Sequence, residues 1–156
     1  MAKLTITEIQ SIPSSLLEEF KQYASMPDAS QDSVLQGLLK SALLRVQEYG
    51  DRALIQCTAR QIATIDEETG ILQLYLGGGD VVSVTDTIDG NSVDYEAIAG
   101  GKLRVFARGR EVEVVFVASP VTGELERCKA TVLRYATALF DGDNTEALNS
   151  ILNEVL

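Results

Sequence analysis

The sequence predicts an α+β fold: an N-terminal helix hairpin, a central and mostly antiparallel β region, and two C-terminal helices that pack on the N-terminal helices. Two changes of period support this fold class. Apolar residues recur every three to four positions in 1–53 and again in 120–156, but at alternate positions in 54–119. At 156 residues, we expect a single domain over 1–156, with helical, β-rich and helical segments in that order.

The strongest helical pattern runs roughly from Asp32 to Tyr49. Ser30 or Asp32 is a suitable N-cap, since its side-chain oxygen accepts from an orphan backbone N–H. Gly50 supplies the usual stop, because glycine tolerates the left-handed conformation beyond a helix end. The broad apolar face carries Val34, Leu35, Leu38, Leu39, Ala42, Leu43, Val46 and Tyr49. A helix of this kind needs partners on that face.

Leu44 departs from this pattern. It lies opposite the apolar face, among polar residues and near Gly37. A leucine and a glycine on an otherwise polar face predict a second contact surface, and we name Leu44 and Gly37 as candidate subunit-interface residues. The alternative is a singly exposed leucine, which is common on protein surfaces.

A shorter helix is predicted before it, after a lead-in over residues 1–14. Ser15 and Glu18 have the spacing of a capping box, in which each side chain satisfies a backbone N–H of the first turn. Leu16, Phe20 and Tyr23 follow on one side. The helix should end near Met26, because the residue before a proline disfavours the helical conformation.

The β region is divided by turn sequences at Asp66–Gly70, Gly77–Asp80, Asp89–Asn91, Gly100–Gly101 and Arg108–Arg110. Strands are expected around Ile62–Thr64, Ile71–Tyr75, Val82–Ile88, Val93–Tyr95, Leu103–Ala107 and Glu111–Val117. Asp89-Gly90-Asn91 predicts a hairpin between the third and fourth of the strands that the turns delimit, because glycine and asparagine accept the positive φ of a tight turn. The triple glycine at 77–79 lacks the lysine and hydroxyl that follow the glycines of a phosphate-binding loop. It therefore predicts a turn or bulge.

The helical period returns after Pro120. The helix over Glu124–Phe140 has an apolar face that includes Leu125, Cys128, Val132, Leu133, Tyr135, Ala136, Leu139 and Phe140. Lys129 interrupts that face, and we expect its amine to reach water. Residues 141–144 end this helix and cap the next one. The last helix carries the stripe Leu148, Ile151, Leu152 and Val155, which either closes the subunit's own core or docks on a partner.

Charge and composition limit the possible functions. The net charge is −10, and residues 54–101 hold 8 acidic residues against 1 basic residue, so the chain is a poor candidate for gripping nucleic acid. Lys102, Arg104, Arg108 and Arg110 form the one basic cluster, which is either a solvated hairpin or a tip that meets an acidic partner. No apolar run is long enough to span a membrane, and the N-terminus lacks the apolar core of a signal peptide.

The sequence offers no catalytic set. Histidine is absent, which excludes serine–histidine and cysteine–histidine pairs and histidine metal sites. Asp66, Glu67 and Glu68 could hold a divalent cation, but an acidic turn is usually solvated. Cys57 and Cys128 lack metal-ligand spacing and predict reduced, buried thiols. No cofactor is expected, and an enzyme using carboxylates is the least favoured function.

The order of these parts resembles the head–tail connector, or adaptor, proteins of tailed bacteriophages and prophages. In that family the long second helix commonly closes with tyrosine, a short polar or glycine turn, and then arginine, alanine and leucine. Residues 49–54 of this chain are Tyr-Gly-Asp-Arg-Ala-Leu. The family's glycine turn before a valine-rich strand matches Gly77–Val84, and the resemblance extends from about Ser15 to Phe140.

The resemblance implies a structural virion protein without catalysis or cofactor. Such proteins form rings, of about twelve subunits, that bridge the portal protein to the tail-side connector or stopper protein and leave a channel through which DNA passes without tight binding. The location implied is the virion neck, and the host cytoplasm during viral assembly and DNA packaging. The C-terminal stripe and the basic cluster are then the candidate partner-docking residues. The alternative is a monomeric intracellular module that recognises one protein through its β hairpins.

Overall fold

The computed structural model describes residues 3–9, 12–24 and 31–153. Internal contacts divide the chain into two compact units, each built from two separate stretches of sequence. The β unit comprises Met1–Ile9 and Asp51–Pro120, and the helical unit comprises Gln10–Gly50 and Val121–Leu156. The α+β class, with helices towards both ends of the chain and antiparallel sheets between them, is confirmed.

The β unit contains two antiparallel sheets. Its strands are β1 (Lys3–Ile9), β2 (Cys57–Thr64), β3 (Ile71–Gln73), β4 (Asp80–Asp86), β5 (Tyr95–Ile98), β6 (Lys102–Val105) and β7 (Glu111–Ala118). A four-stranded sheet has the order β1-β2-β7-β4, and a three-stranded sheet has the order β3-β6-β5. A short 3₁₀ turn, Tyr75–Gly77, leads from β3 towards β4.

The centre of the larger sheet is the β2–β7 pair. Ala59 lies opposite Phe116 and Gln61 opposite Val114, and all four side chains are buried. At the first of these pairs the small side chain of Ala59 leaves room for the large ring of Phe116. Alternate residues of both strands face this core, as their period of two predicts.

Both edge strands of the larger sheet are irregular. The β1–β2 register shifts between Ile6 and Glu8, and the β4–β7 register shifts between Val81 and Ser83. The extra residue on β4 is Val82, which is 63% exposed. These shifts are β-bulges, which bend an edge and interrupt its row of hydrogen-bonding groups.

Three expectations for this region are wrong. Residues 1–14 are not only a lead-in, and segment 1–53 is not wholly helical, because Lys3–Ile9 forms β1 and pairs with β2. The turn at 89–91 does not join two strands of one sheet: β4 and β5 lie in different sheets, with only the bridge Thr85–Ser92 across the turn. Ile88 is not part of a strand and is almost fully exposed.

The helical unit contains α1 (Ser14–Tyr23), α2 (Asp32–Gly50), α3 (Glu124–Phe140) and α4 (Thr145–Leu152). Helix α2 packs against α1 and α3, and α3 packs against α4. This confirms the predicted packing of the N-terminal helices with the C-terminal ones. The unit's core includes Phe20, Leu35, Leu39, Leu43, Val46, Val132, Ala136 and Leu152, each without exposed surface.

Local details of the helices differ from the sequence-based expectations. Pro13, not Ser15, is the N-cap of α1, and it makes no side-chain cap bond, so the capping box is absent. Tyr23 and Val34 are exposed, whereas Gln47 is buried. The predicted cap Ser30 and helix end Met26 lie outside the described residues. These differences arise where neighbouring helices, rather than local sequence, determine which side chains are covered.

Two lysines connect the helices of this unit. The Lys129 amine does not simply reach water: it lies 3.1 Å from the Glu19 carboxylate on α1 and 2.9 Å from Glu126 on its own helix. The hydrogen bonds that this amine donates to Glu126, above all, and to Glu19 raise the pKa of Lys129. Lys21 is buried and lies 3.1 Å from Asp32, at the start of α2. Helix α1 is therefore held to α3 and α2 by ion pairs in addition to apolar contacts.

Candidate interaction surfaces

The second face of α2 is partly open in the helical unit. Gly37 is exposed, and a Cβ built on it meets nothing within 4 Å. Leu44 is half-buried. Gln47, one turn further along this face, is fully buried. The face is therefore open at Gly37 and covered at Gln47, and a role for Leu44 and Gly37 in subunit contact stays a prediction.

The C-terminal stripe is divided between core and surface. Asn144 caps α4 by accepting a hydrogen bond of 2.9 Å from the Ala147 N–H, as the polar turn predicts. Leu152 is fully buried, while Leu148 and Ile151 are half-buried. Val155 lies outside the described residues. Leu152 thus belongs to the subunit's own core, and a docking role for the stripe stays a prediction.

The C-terminal end of α4 is also joined to α2. The Tyr49 hydroxyl donates a short hydrogen bond to the side-chain oxygen of Asn153. This contact links the last turns of the two helices within the helical unit. Sequence periodicity does not predict it, because it depends on the arrangement of helices that are separated along the chain by the whole β region.

The basic cluster is dispersed among acidic partners of the β unit. Arg104 lies 3.4 Å from Glu96 on the neighbouring strand β5. Arg110 lies 3.1 Å from Asp89 and 2.6 Å from Asp86. Lys102 has no ion pair among the described residues. The four cations therefore do not form one free patch, and their role in partner docking stays a prediction.

Asp86 is the most buried of the carboxylates that pair with Arg104 and Arg110. It is only 2% exposed, whereas Arg110 is half-exposed. Its other oxygen accepts hydrogen bonds from the backbone N–H groups of Ile88, at 2.8 Å, and Asp89, at 3.3 Å. The charge of Asp86 is thus balanced by Arg110 while its backbone bonds hold the turn that follows β4.

The acidic turn at 66–68 is held by hydrogen bonds to the side chain of Asp66. The Asp66 carboxylate accepts from the backbone N–H groups of Glu68, at 2.9 Å, and Thr69, at 2.7 Å, and from the Thr69 hydroxyl. These hydrogen bonds, those of Thr69 above all, lower the pKa of Asp66. Asp66, Glu67 and Glu68 are all exposed. Asp66 therefore acts as a turn-forming residue, which agrees with the solvated acidic turn expected from sequence.

The backbone of the triple glycine lies very close to two other backbone segments, one at Val117 and one at Gly101. A Cβ on Gly79 would lie 1.9 Å from the Val117 carbonyl oxygen, and one on Gly101 would lie 2.5 Å from the Gly77 carbonyl oxygen. Gln61 supports the same region from the core, since its amide donates to the Gln73 carbonyl at 3.0 Å and accepts from the Tyr75 N–H at 2.9 Å. The glycines are needed for contact between backbones, as the turn prediction implies.

A groove that the sequence did not predict lies beside β4. It has a volume of about 430 Å³ and is lined by residues 82–84 and 92–95, including Val82, Val93, Asp94 and Tyr95. The Val93 N–H donates to the Val84 carbonyl at 2.9 Å and thereby holds the two sides together. The groove depends on long-range strand placement, so no local motif marks it.

The described part of the chain contains no group of three or more acidic or cysteine side chains placed to hold a metal ion. No helix there is long and apolar enough to cross a membrane. Cys57 and Cys128 are both buried and free, as expected, and burial raises the pKa of the Cys57 thiol. A raised pKa keeps that thiol protonated and unreactive.

Comparison with solved structures gives matches over most of the chain, and the following three are among them. A chain of "Virion of native gene transfer agent (GTA) particle" matches with a TM-score of 0.60 and 14% identity over 97% of this chain and 93% of that chain. A chain of "Neck of empty GTA particle computed with C6 symmetry" matches with a TM-score of 0.58 and 16% identity over 89% and 84%. A chain of "Neck of native GTA particle computed with C12 symmetry" matches with a TM-score of 0.56 and 15% identity over 97% and 94%.

This chain shares the fold of those GTA chains. At these identities the likeness establishes the fold alone, and it extends over both the β unit and the helical unit. No protein-family model matches the chain, and no curated protein matches it. The fold of these GTA chains supports the resemblance to head–tail connector proteins.

Proposed function

We propose that this protein is a structural subunit of the neck of a phage-like particle. In this role it is a head–tail connector, or adaptor, that forms a ring between the portal protein and the tail-side connector or stopper protein. DNA passes through the ring without being held. The observation that carries the proposal is the fold shared, over 89% to 97% of the chain, with chains of GTA neck and virion structures.

Ring formation is supported by the symmetry of those structures, two of which are described with sixfold and twelvefold symmetry. A ring requires a heterologous interface, in which one patch of each subunit meets a different patch of the next. The open face of α2 at Gly37 and Leu44 is our candidate for one side of that interface. The half-buried residues Leu148 and Ile151 of α4 are our candidates for contact with the portal protein.

The net negative charge and the pairing of the arginine side chains favour a channel that does not bind DNA tightly. Phosphate binding depends on lysine and arginine side chains that are free to displace counterions. Here Arg104 and Arg110 already pair with carboxylates of the same unit, and the net charge is −10. The proposed channel is therefore neutral or repulsive towards the duplex, and the proposed role is structural rather than enzymatic.

The test is assembly of the purified protein, alone and mixed with a candidate portal protein, followed by negative-stain imaging and sedimentation velocity. The proposal expects cyclic rings of about twelve copies, the number that the resemblance to connector proteins implies and that agrees with the twelvefold symmetry of one matched structure. Leu44→Asp and Gly37→Gln should weaken these rings without lowering the melting temperature of the subunit. Ala130→Asp, a change at an exposed position of α3, is the matched control and should leave the rings intact.

Three results would contradict parts of the proposal. A protein that stays monomeric at high concentration and with the portal would overturn the ring and favour a monomeric protein-binding module. Intact rings in both α2 variants would reject Leu44 and Gly37 as interface residues. Micromolar binding of duplex DNA at about 150 mM salt, with a steep salt dependence, would replace the passive channel by a direct DNA contact.

A further inference from the structure

The groove beside β4 is lined by exposed apolar and aromatic side chains and by one carboxylate that has no ion pair among the described residues. Val82 is 63% exposed because it is the bulged residue of β4, and Tyr95 is 40% exposed at the start of β5. Asp94 lies between Val93 and Tyr95 in the lining and is exposed. The described residues provide no ion-pair partner for Asp94, whereas Glu96, two positions later, pairs with Arg104.

The stretch of sequence that forms the groove is acidic. Residues 80–98 contain five acidic residues, Asp80, Asp86, Asp89, Asp94 and Glu96, and no basic residue. Arg110 balances Asp86 and Asp89, and Arg104 balances Glu96. Asp94 in the groove and Asp80 at the start of β4 are left without ion pairs among the residues described. The groove therefore favours a cationic ligand.

The length of the groove suits a short extended segment. Its two sides are formed by three and four consecutive residues, which correspond to about 10 Å at the rise of a β-strand. Long cationic side chains fit this arrangement, because their aliphatic stems cover apolar surface while their charged ends reach a carboxylate or an aromatic face. Val82 and Val93 supply the apolar surface, and Asp94 and Tyr95 supply the carboxylate and the ring.

We infer that this groove binds a short extended segment of another protein, whose arginine or lysine side chain lies against Tyr95 and pairs with Asp94. Another protein is favoured over a second copy because most cations of this chain already pair with its own carboxylates. These are Lys21, Arg45, Arg60, Arg104, Arg110, Arg127 and Lys129. The inference is independent of ring formation, since the groove lies within the β unit of one subunit.

The test uses two fluorescein-labelled peptides, GVRVG and GVEVG, with the full-length protein. The arginine peptide should bind saturably, and the glutamate peptide should bind more weakly by on the order of tenfold or more, because its charge repels Asp94. Amide chemical shifts in ¹H–¹⁵N spectra should change at residues 82–84 and 92–95. Asp94→Asn should weaken binding of the arginine peptide by a similar factor at an unchanged melting temperature.

Asp141→Asn is the matched control, because Asp141 is an exposed carboxylate of the helical unit. It should leave peptide binding unchanged. Equal binding of the two peptides, no saturable binding, or shift changes elsewhere in the chain would each overturn the inference. A further outcome would assign the groove to a second copy instead: self-association of the wild-type protein that Asp94→Asn abolishes, without peptide binding.

Discussion

The Asp51 carboxylate accepts a hydrogen bond of 2.6 Å from the backbone N–H of Leu76. Among the described residues these two are the non-glycine residues with positive φ, 50° at Asp51 and 58° at Leu76. Aspartate tolerates this conformation, but for leucine it costs about 1–2 kcal/mol. Leu76 is nevertheless buried, so the bond to Asp51 holds a strained turn in the position where its side chain fills the core.

Replacing Asp51 by alanine should therefore destabilise the β unit. The change removes the acceptor and leaves the Leu76 N–H unsatisfied, which costs about 1–3 kcal/mol. Asp51→Asn is the control, since it keeps an acceptor oxygen and the tolerance for positive φ, and it should cost less. Urea unfolding gives the two free energies, and equal values for alanine and asparagine would show that the hydrogen bond does not support the turn.

The close approach at Gly79 predicts a severe effect of one added methyl group. A Cβ at this position would lie 1.9 Å from the Val117 carbonyl oxygen, so Gly79→Ala must displace β4 from β7. We expect a loss of about 3 kcal/mol or more, as for other substitutions that overpack a core. The measurement is the free energy of unfolding or, if the variant does not fold, the yield of soluble protein.

Gly37→Ala is the control for that experiment. Its Cβ would meet open space, and alanine favours a helix over glycine by about 1 kcal/mol. The melting temperature should therefore rise slightly while that of Gly79→Ala falls. If both variants melted at the same temperature as the wild type, the close approach of Gly79 to the Val117 backbone would be contradicted.

Arg110 and Arg104 should differ in their effect on stability. Arg110→Ser leaves the buried Asp86 without its cation, and we expect a loss of roughly 1–3 kcal/mol, less than for a fully buried pair because Arg110 is half-exposed. Arg104→Ser removes an exposed pair with Glu96 and should cost no more than about 1 kcal/mol. Chemical denaturation of the two variants measures the difference, and a larger loss for Arg104→Ser would contradict it.

Asp66 predicts a stability difference that depends on pH. Its pKa is lowered in the folded protein by hydrogen bonds from Thr69 and Glu68, so the ionised form stabilises the fold. This contribution is complete above the unfolded pKa of about 3.9 and is lost as the pH falls through the lower folded value. Asp66→Asn should therefore be less stable than the wild type at pH 7, and the difference should shrink below about pH 4. A difference that stays constant across this range would exclude the charge as its cause.

The burial of Leu152 predicts the outcome of removing α4. Truncation after Asp143 deletes Leu152, which has no exposed surface, and Asn153, which bonds to Tyr49. Losing a fully buried leucine costs about 2–5 kcal/mol, so the melting temperature should fall clearly. Leu152→Ala should reproduce most of this loss, whereas Leu148→Ala, at a half-buried position, should cost less. Unchanged melting after truncation, together with lost portal binding, would instead make the stripe a docking element.

Sequence pattern predicted the helices well because their apolar faces are continuous. The bounds of α2 were expected at Asp32 and Tyr49 and are Asp32 and Gly50, and α3 has the expected bounds. Pattern predicted the turns of the β region for the same local reason. It did not predict β1, whose pairing with β2 joins residues 48 to 59 positions apart.

Buried polar residues also escaped prediction, because their partners come from distant elements. Gln61 can be buried because both the nitrogen and the oxygen of its side-chain amide bond to backbone groups, those of Gln73 and Tyr75. Asp86 is buried because Arg110 reaches it from the turn before β7. The groove at Val82 and Tyr95 requires the arrangement of two sheets. Composition alone assigns such residues to the surface.

The bulges at both edges of the four-stranded sheet have a consequence for the proposed assembly. A regular edge strand is a template on which identical chains add without limit, and the product is a fibre. Here the shifts at Ile6/Glu8 and Val81/Ser83 interrupt both templates. The bulges therefore disfavour strand pairing between neighbouring copies of this chain. The angle between two neighbours is then determined by contacts between their side chains. An assembly whose angle is fixed in this way can close after a definite number of copies.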